Sequence, residues 1–176
     1  DGVDRVLREQ YRFDQRRAFL AAGGGGDTMW SKYADLGLLG LPFPAEWGGF
    51  GGGAAEMAIV MESLGRALVL EPFLSSVVMA GAALSHGASE SQARELVPDM
   101  IEGRCVVAVA LCASNGLEVP AAISCTARPR SGGWLLEGRT NLVMGGDRAD
   151  WFIVPARTVD DRGEECVHHF MVQSTE

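Results

Sequence analysis

The hydrophobic period of this chain changes once, near Arg104, and that change limits the folds open to it more than any other feature. Before it, apolar residues recur at three and four positions. Met57, Val60, Met61, Leu64, Ala67 and Leu68 form one such row, with Glu56, Glu62 and Arg66 on other faces, which predicts a helix beginning at Ala54. After it, the period is near two, with Ile123, Cys125 and Ala127 alternating with Ser124, Thr126 and Arg128. Helices first and strands second predict an α+β chain: an all-helical bundle domain over residues 1–103, then an antiparallel β-domain over residues 104–176.

Within the first part, Asp1 to Leu20 carries Val3, Val6, Leu7, Phe13 and Phe19 among many charges, as one or two surface helices would. Ala21 to Asp27 holds four consecutive glycines and reads as a linker. In the next helix Trp30, Tyr33, Ala34, Leu36 and Leu38 fit a buried stripe, broken by Gly37, Gly40, Pro42 and Pro44. The stretch after this break is too apolar for an ordinary surface loop. Leu39, Leu41, Phe43, Trp47 and Phe50 are expected to pack inside the domain, since otherwise they leave an exposed patch of roughly several hundred Å². Five glycines between Gly48 and Gly53, interrupted by Phe50, then allow close backbone approach ahead of the Ala54 helix.

Glu71-Pro72 ends that helix, and Phe73 to Ser85 reads as an almost wholly apolar helix closed by Gly87 at the C′ position. Ser89 and Gln92 form a capping box for a last helix carrying Leu96, Val97, Met100 and Ile101, kinked at Pro98 and stopped by Gly103. In the second part Cys105 to Cys112 reads as a buried strand, and Ile123 to Arg130 as one arm of a hairpin. Its turn is Ser131-Gly132-Gly133 and its second arm Trp134 to Glu137. A further strand is expected near Asn141 to Met144. Trp151 to Thr158 and Cys166 to Val172 are two more, joined by the polar turn Asp160 to Glu165.

Charge removes some functions from consideration. The 15 basic and 23 acidic residues give a net charge of −8, and no basic block interleaves with aromatics, so neither nucleic acid nor an anionic membrane is an expected partner. No apolar run reaches the roughly 18 to 20 residues that span a bilayer. Cys105, Cys112, Cys125 and Cys166 match no paired C-x-x-C metal spacing and no signal peptide opens the chain, which predicts reduced thiols in a cytoplasm.

Motifs for chemistry are few. Gly49 to Ala54 formally satisfies G-x-G-x-x-A ahead of a helix, but a dinucleotide fingerprint needs a strand feeding the loop, and Pro42-Phe43-Pro44-Ala45-Glu46-Trp47 cannot be a central parallel strand. A glycine-rich bend between packed helices is the expectation instead. His168 and His169 are neighbours on a predicted strand and point to opposite faces, so they cannot chelate a metal from one side. His86 sits at a helix end, where a cation favours the dipole. Glu56 and Glu62 fall on different faces of one helix and make no acid–base pair.

Three blocks in order, LGLLGLPFPAEWGGFGGG, VMESLGRALVLEPFLSS and GGWLLEGRTNLVMGGDRADWFIVPART, resemble the acyl-CoA dehydrogenase family, over about Trp30 to Thr158. The resemblance implies three domains, helical, β and helical, with FAD bound between the second and third and a neighbouring subunit completing the site. It implies that a glutamate base removes the α-proton of an acyl-CoA thioester while the β-hydride passes to the flavin. Such a proton is too weakly acidic for a carboxylate unless preorganised donors hold the developing enolate oxygen. The third domain, which in the family usually carries the base, is expected to lie outside this chain, so no catalytic residue is assigned within it.

At the flavin-facing positions the sequence departs from the family. Leu111 and Cys112 stand where the family usually has Thr-Glu, and Leu142-Val143-Met144 where it usually has Trp-Ile-Thr or Trp-Ile-Ser. The hydroxyls and the tryptophan are replaced. Backbone groups of Leu111, Cys112, Val143 and Met144 can still serve a flavin, because main-chain donors do not depend on the side chain. Some family members work as pairs of unlike subunits, one keeping the flavin contacts and the other not. The resemblance therefore implies either an FAD-dependent acyl-CoA dehydrogenase, or a subunit of one, that introduces an α,β double bond in fatty acyl or steroid side-chain β-oxidation, or a catalytically silent, flavin-poor subunit completing a partner's site. A homo- or hetero-oligomer is expected in either case.

Overall fold

An amphipathic helix α1 (Gly2–Gln10) and a largely exposed helix α2 (Phe13–Ala21) open the chain of this computed structural model, which describes residues 2–23, 27–111 and 123–175. Leu7 and the following Tyr11 are buried, Val3 and Val6 pack against the same core, and the Tyr11 and Phe19 rings meet at 5.6 Å. Then come α3 (Asp27–Asp35), a 3₁₀ turn (Ala45–Trp47), α4 (Ala54–Arg66), a π-helix (Phe73–Ala80), α5 (Gly81–Gly87) and α6 (Glu90–Ile101). Residues Asp1–Val106 form one compact unit and Val107–Glu176 a second. The helical core gathers Met29, Trp30 and Tyr33 of α3, Leu38 and Leu39 of the following loop, Val60 and Leu64 of α4, and Phe73 and Val77 of the π-helix.

Three helices end alike, and the sequence shows why for two of them. In each, the residue after the last turn has positive φ, its N–H bonds three residues back, and the next N–H bonds five back. At Gly37 (φ 73°) and Gly103 (φ 73°) the absent Cβ makes this conformation inexpensive. After α4 the same place is held by Leu68 at φ 52°, where a branched side chain is strained. Leu68 is 60% exposed, so the apolar row that predicts the helix loses its last member to solvent. At the start of α6, Ser89 Oγ accepts from the Gln92 N–H at 3.3 Å and Gln92 Oε1 accepts from the Ser89 N–H at 2.9 Å, the expected capping box.

Other helical expectations need correction. Leu36 and Phe50 are 42% and 68% exposed rather than buried. The Phe50 ring lies across Gly37 and Gly40, where a Cβ would come within 2.8 Å and 3.4 Å of it, so it covers the helix end from outside. Phe43, by contrast, is wholly buried. The stretch Phe73 to Ser85 is one continuous helical path, but its first eight residues are π-helical. Gly87 is the last residue of α5, with Ala88 extended after it, and is not a left-handed cap.

In the second unit a five-stranded sheet is built on β4 (Trp151–Val159). The strands β2 (Thr126–Arg130) and β3 (Gly133–Glu137) form the expected hairpin, and β4 pairs antiparallel with β5 (Glu165–Gln173) across the Asp160 turn. Asp160 Oδ1 closes that turn by accepting the N–H groups of Arg162 and Glu164, both at 2.9 Å. Not every pairing is antiparallel. On its other edge β4 runs parallel to β1 (Val107–Val109), with Val107 opposite Trp151, and then to β2, with Thr126 opposite Arg157. Pro155 falls in the gap between those two partners. One face of the sheet carries a small core of Cys125, Ala127 and Ala156, with Leu136, Val154 and Phe170 against it.

The strand expected near Asn141 to Met144 is absent. These residues are loop, entered through Gly138 and turned at Met144 and Gly145, with Leu142 at φ 54°. Gly138 is required where it is, because a Cβ there would lie 2.6 Å from the Cys125 Cα.

Candidate functional site

The glycine-rich loop is occupied with its own backbone. Phe50 N–H bonds to Gly40 O at 3.0 Å, Gly51 N–H to Phe43 O at 2.8 Å and Gly52 N–H to Leu41 O at 2.7 Å. Donors that would cradle a phosphate are thus spent on residues 40–43, and the Gly53 N–H is capped by Glu56 Oε2 at 2.9 Å. A Cβ on Gly49 would lie 2.1 Å from the Phe43 carbonyl oxygen, so the chain passes too close for any side chain. The loop is a packed bend between α3 and α4, as its feeding sequence predicts.

Histidine and carboxylate readings resolve as simply. His168 faces Thr158 across β4 and β5, with Nδ1 and Oγ1 2.8 Å apart, and His169 takes the neighbouring register position opposite Pro155. Glu62 pairs with Arg66 at 2.5 Å on the surface of α4. Among the described residues no group of His, Cys, Asp and Glu could hold a metal ion. Cys105, Cys125 and Cys166 form no disulfide among the described residues. No helix among the described residues is long and apolar enough to cross a membrane.

Four positions remain as candidates for a flavin contact, and all belong to the second unit. Leu111 follows β1, two residues beyond the Val109–Ile153 pairing, and is 39% exposed. Cys112 lies outside the described residues. Val143 is half-buried and Met144 is 54% exposed. The Val143 carbonyl accepts the Gly146 N–H at 3.0 Å, closing a turn with Gly145 at φ 71°. Among the described residues the N–H groups of Val143 and Met144 donate to no other main-chain group, and no backbone hydrogen bond joins Leu111 to this turn. Beside them Leu142 combines positive φ with 82% exposure. Strain held by an exposed leucine is uncommon, and such outliers gather at functional sites. The sequence placed Leu142 at a flavin-facing position but gave no sign of its left-handed backbone, because its local signal is that of a strand residue.

A second arrangement escaped sequence reasoning altogether. In the helical unit Glu71 is 5% exposed, and its Oε2 accepts from the Tyr33 hydroxyl at 3.4 Å. The Tyr11 hydroxyl accepts the Leu70 N–H at 2.8 Å and also faces the Glu71 carboxylate. Burial pushes both phenols above their ordinary range, and the Glu71 charge raises them further. No local pattern announces this grouping, because its members lie in three separate stretches of chain.

A helical unit followed by a small sheet, with exposed turns on the sheet, defines the class. The acyl-CoA dehydrogenase N-terminal domain family matches residues 2–104. The chain belongs to the acyl-CoA dehydrogenase family. It is 34% identical over 130 residues to the acyl-CoA dehydrogenase FadE27 of Mycobacterium tuberculosis, covering 74% of this chain and 34% of that protein. In the ChsE4-ChsE5 complex from Mycobacterium tuberculosis a chain superposes with a TM-score of 0.83 at 28% identity, over 97% of this chain and 44% of that one. A variant of the Tcur3481-Tcur3483 steroid ACAD gives 0.82 at 27% identity, over 97% and 45%. The chain thus spans about a third of the length of its curated relative and under half of each solved chain. The family generally binds FAD.

Proposed function

We propose that this protein acts in FAD-dependent dehydrogenation of an acyl-CoA thioester, as a dehydrogenase or a subunit of one. The observation carrying this reading is the 142–144 turn. Exposed Leu142 and Met144 side chains stand beside main-chain N–H groups with no main-chain acceptor among the described residues, a set that fits the face and edge of a planar heteroaromatic ring. Val143 and Met144 would hold the flavin through the main chain, with Leu111 and Cys112 contributing in the same manner. Bound FAD supplies the hydride acceptor for the β-carbon. This chain's part is to bind and orient, and the base that takes the α-proton lies outside residues 1–176.

A second reading has its own support. Apolar side chains occupy the positions where the family resemblance implies hydroxyls and a tryptophan, so side-chain hydrogen bonds to a flavin are lost there. In that reading the protein is a flavin-poor subunit that completes the site of an unlike partner, an arrangement consistent with its similarity to a chain of the ChsE4-ChsE5 complex. The test is expression alone and together with a second acyl-CoA dehydrogenase subunit of the same genome. Flavin absorbance that survives gel filtration of the protein alone, and bleaches with an acyl-CoA, supports the first reading. Colourless protein that yields a yellow complex only with its partner supports the second.

A further inference from the structure

The linker between α4 and α5 gathers the unusual backbone of the helical unit. It begins at Leu68 (φ 52°), whose carbonyl accepts from Arg16 Nε at 2.7 Å. Next, the Leu70 N–H is held by the Tyr11 hydroxyl at 2.8 Å, and the buried Glu71 carboxylate by the Tyr33 hydroxyl at 3.4 Å. The Phe73 N–H then bonds to Glu71 O at 2.8 Å around Pro72 (φ −77°, ψ 42°), an inverse γ-turn. Directly after this turn the helix runs eight residues in the π register, ending where the Gly81 N–H is shared between Ser76 O, five residues back, and Val78 O, three residues back.

A π-helix of that length needs an external cause, because such helices are rare and mostly single-turn. Nothing in Phe73 to Ala80 forbids an α-helix: the segment contains no glycine and no proline. Both ends, however, are fixed by side chains from elsewhere. At the far end the buried Phe43 ring sits against Gly81, where a Cβ would lie 3.1 Å from Cζ and 3.4 Å from Cε1. At the near end, Glu71 fixes where the first turn starts, because its carbonyl closes the γ-turn while its carboxylate is anchored to α3. Glu71 Oε1 has no partner among the described residues, so the anchorage rests on the tyrosine hydroxyls.

We propose that Glu71 is a positioning residue that holds Phe73–Ala80 in the π register, and that freeing its carboxylate from Tyr33 and Tyr11 lets the segment relax to an α-helix. The linker is then a two-register latch. The clasp lies between chain segments 38 and 59 residues apart, the separations of its two tyrosines from the linker.

The experiment tracks the Gly81 hydrogen bond itself, through trans-hydrogen-bond couplings in the isotope-labelled protein. In the unaltered protein the Gly81 amide should couple to the Ser76 carbonyl. In Glu71→Leu, which removes the acceptor, it should couple to the Val77 carbonyl, four residues back, or alternate between the two. The amide exchange rates of residues 77–81 should then change from those of the unaltered protein, with α6 unchanged. If Glu71→Leu does not fold, Tyr33→Phe removes one hydroxyl, keeps the ring, and carries the same expectation. Retention of the Ser76 coupling in the folded variants overturns the proposal. So does faster exchange spread evenly over α3, α4 and α6, which marks plain destabilisation.

Discussion

The two units of this protein differ in the size of what they bury, although both leave large apolar side chains at the surface. In the helical unit Tyr33, Phe43, Phe73, Met29 and Leu39 are buried almost completely. In the second unit the hairpin and turn residues Trp134, Leu142, Met144, Val159 and Val167 are between 44% and 82% exposed, over a core of Cys125, Ala127 and Ala156. Burial of a large apolar side chain is worth about 1.5–3 kcal/mol, so stability and sequence constraint concentrate in the first unit. At the exposed turns a side chain can change at little cost to the fold. Family membership is therefore written most firmly in the helices, while the positions proposed to meet a flavin are free to carry leucine and methionine without unfolding the chain.

Phe43→Ala should produce the largest effect and the sharpest contrast. Removing a wholly buried ring that also braces Gly81 should destabilise the helical unit by about 3–5 kcal/mol, measured by denaturant unfolding. Amide exchange should quicken in residues 2–106 and stay unchanged in β2 to β5. Equal quickening in the sheet would show that the two units fold as one, and the contrast between them would then be one of composition only.

Alkaline pH separates the units by a different physical route. Both tyrosines of the chain lie in the helical unit, and burial first, then the Glu71 charge, raises both phenols above their ordinary value near 10. For Tyr11 the Leu70 N–H and Arg16 act in the opposite sense. Above that ordinary value the unfolded chain releases phenolic protons that the folded unit retains. The stabilisation is thus complete below about pH 10 and lost as pH rises through the folded values, by up to about 1.4 kcal/mol per pH unit for each tyrosine. Tyrosinate absorbance should appear together with the loss of helix, later than in a denatured control. Ionisation at the ordinary pH with the helices intact would overturn the buried placement of Tyr11 and Tyr33.

Which elements can be read in the sequence depends on which interactions are local. The row from Met57 to Leu64, the Ser89 capping box and the Asp160 turn are each set within a few residues, and the structure carries all three. Phe73 to Ala80 is nearly all apolar, so its pattern cannot separate a repeat of 3.6 residues from a wider one. The π register depends on Phe43 and on a carboxylate anchored to Tyr33, neither visible locally. The parallel pairing of β1 and β2 with β4 is settled by partners far apart in sequence. Asn141 to Met144 has strand-forming composition, but Gly138 must approach Cys125 and Gly145 must turn, and those tertiary demands override it. The candidate flavin positions were legible only through the family resemblance, since leucine, valine and methionine advertise no chemistry of their own.

The smallest effect compares the two strained leucines, one in each unit. Asparagine tolerates left-handed backbone better than leucine, so Leu68→Asn and Leu142→Asn should each stabilise the protein by up to about 1 kcal/mol, read from denaturant midpoints. Leu68 closes α4 in a hydrogen-bonded cap, and its strain belongs to the linker before the π-helix. Leu142 is 82% exposed, with no packing to lose. If the 142–144 turn is where a flavin rests, Leu142→Asn should weaken flavin retention by the protein or its complex several-fold while raising stability. Leu68→Asn should leave flavin retention alone. Equal effects of the two substitutions on flavin would place the cofactor away from the turn. A loss of stability at Leu142 would mean that this leucine packs in the folded protein, and the division between a buried helical core and an exposed sheet would no longer hold at the position where it matters most.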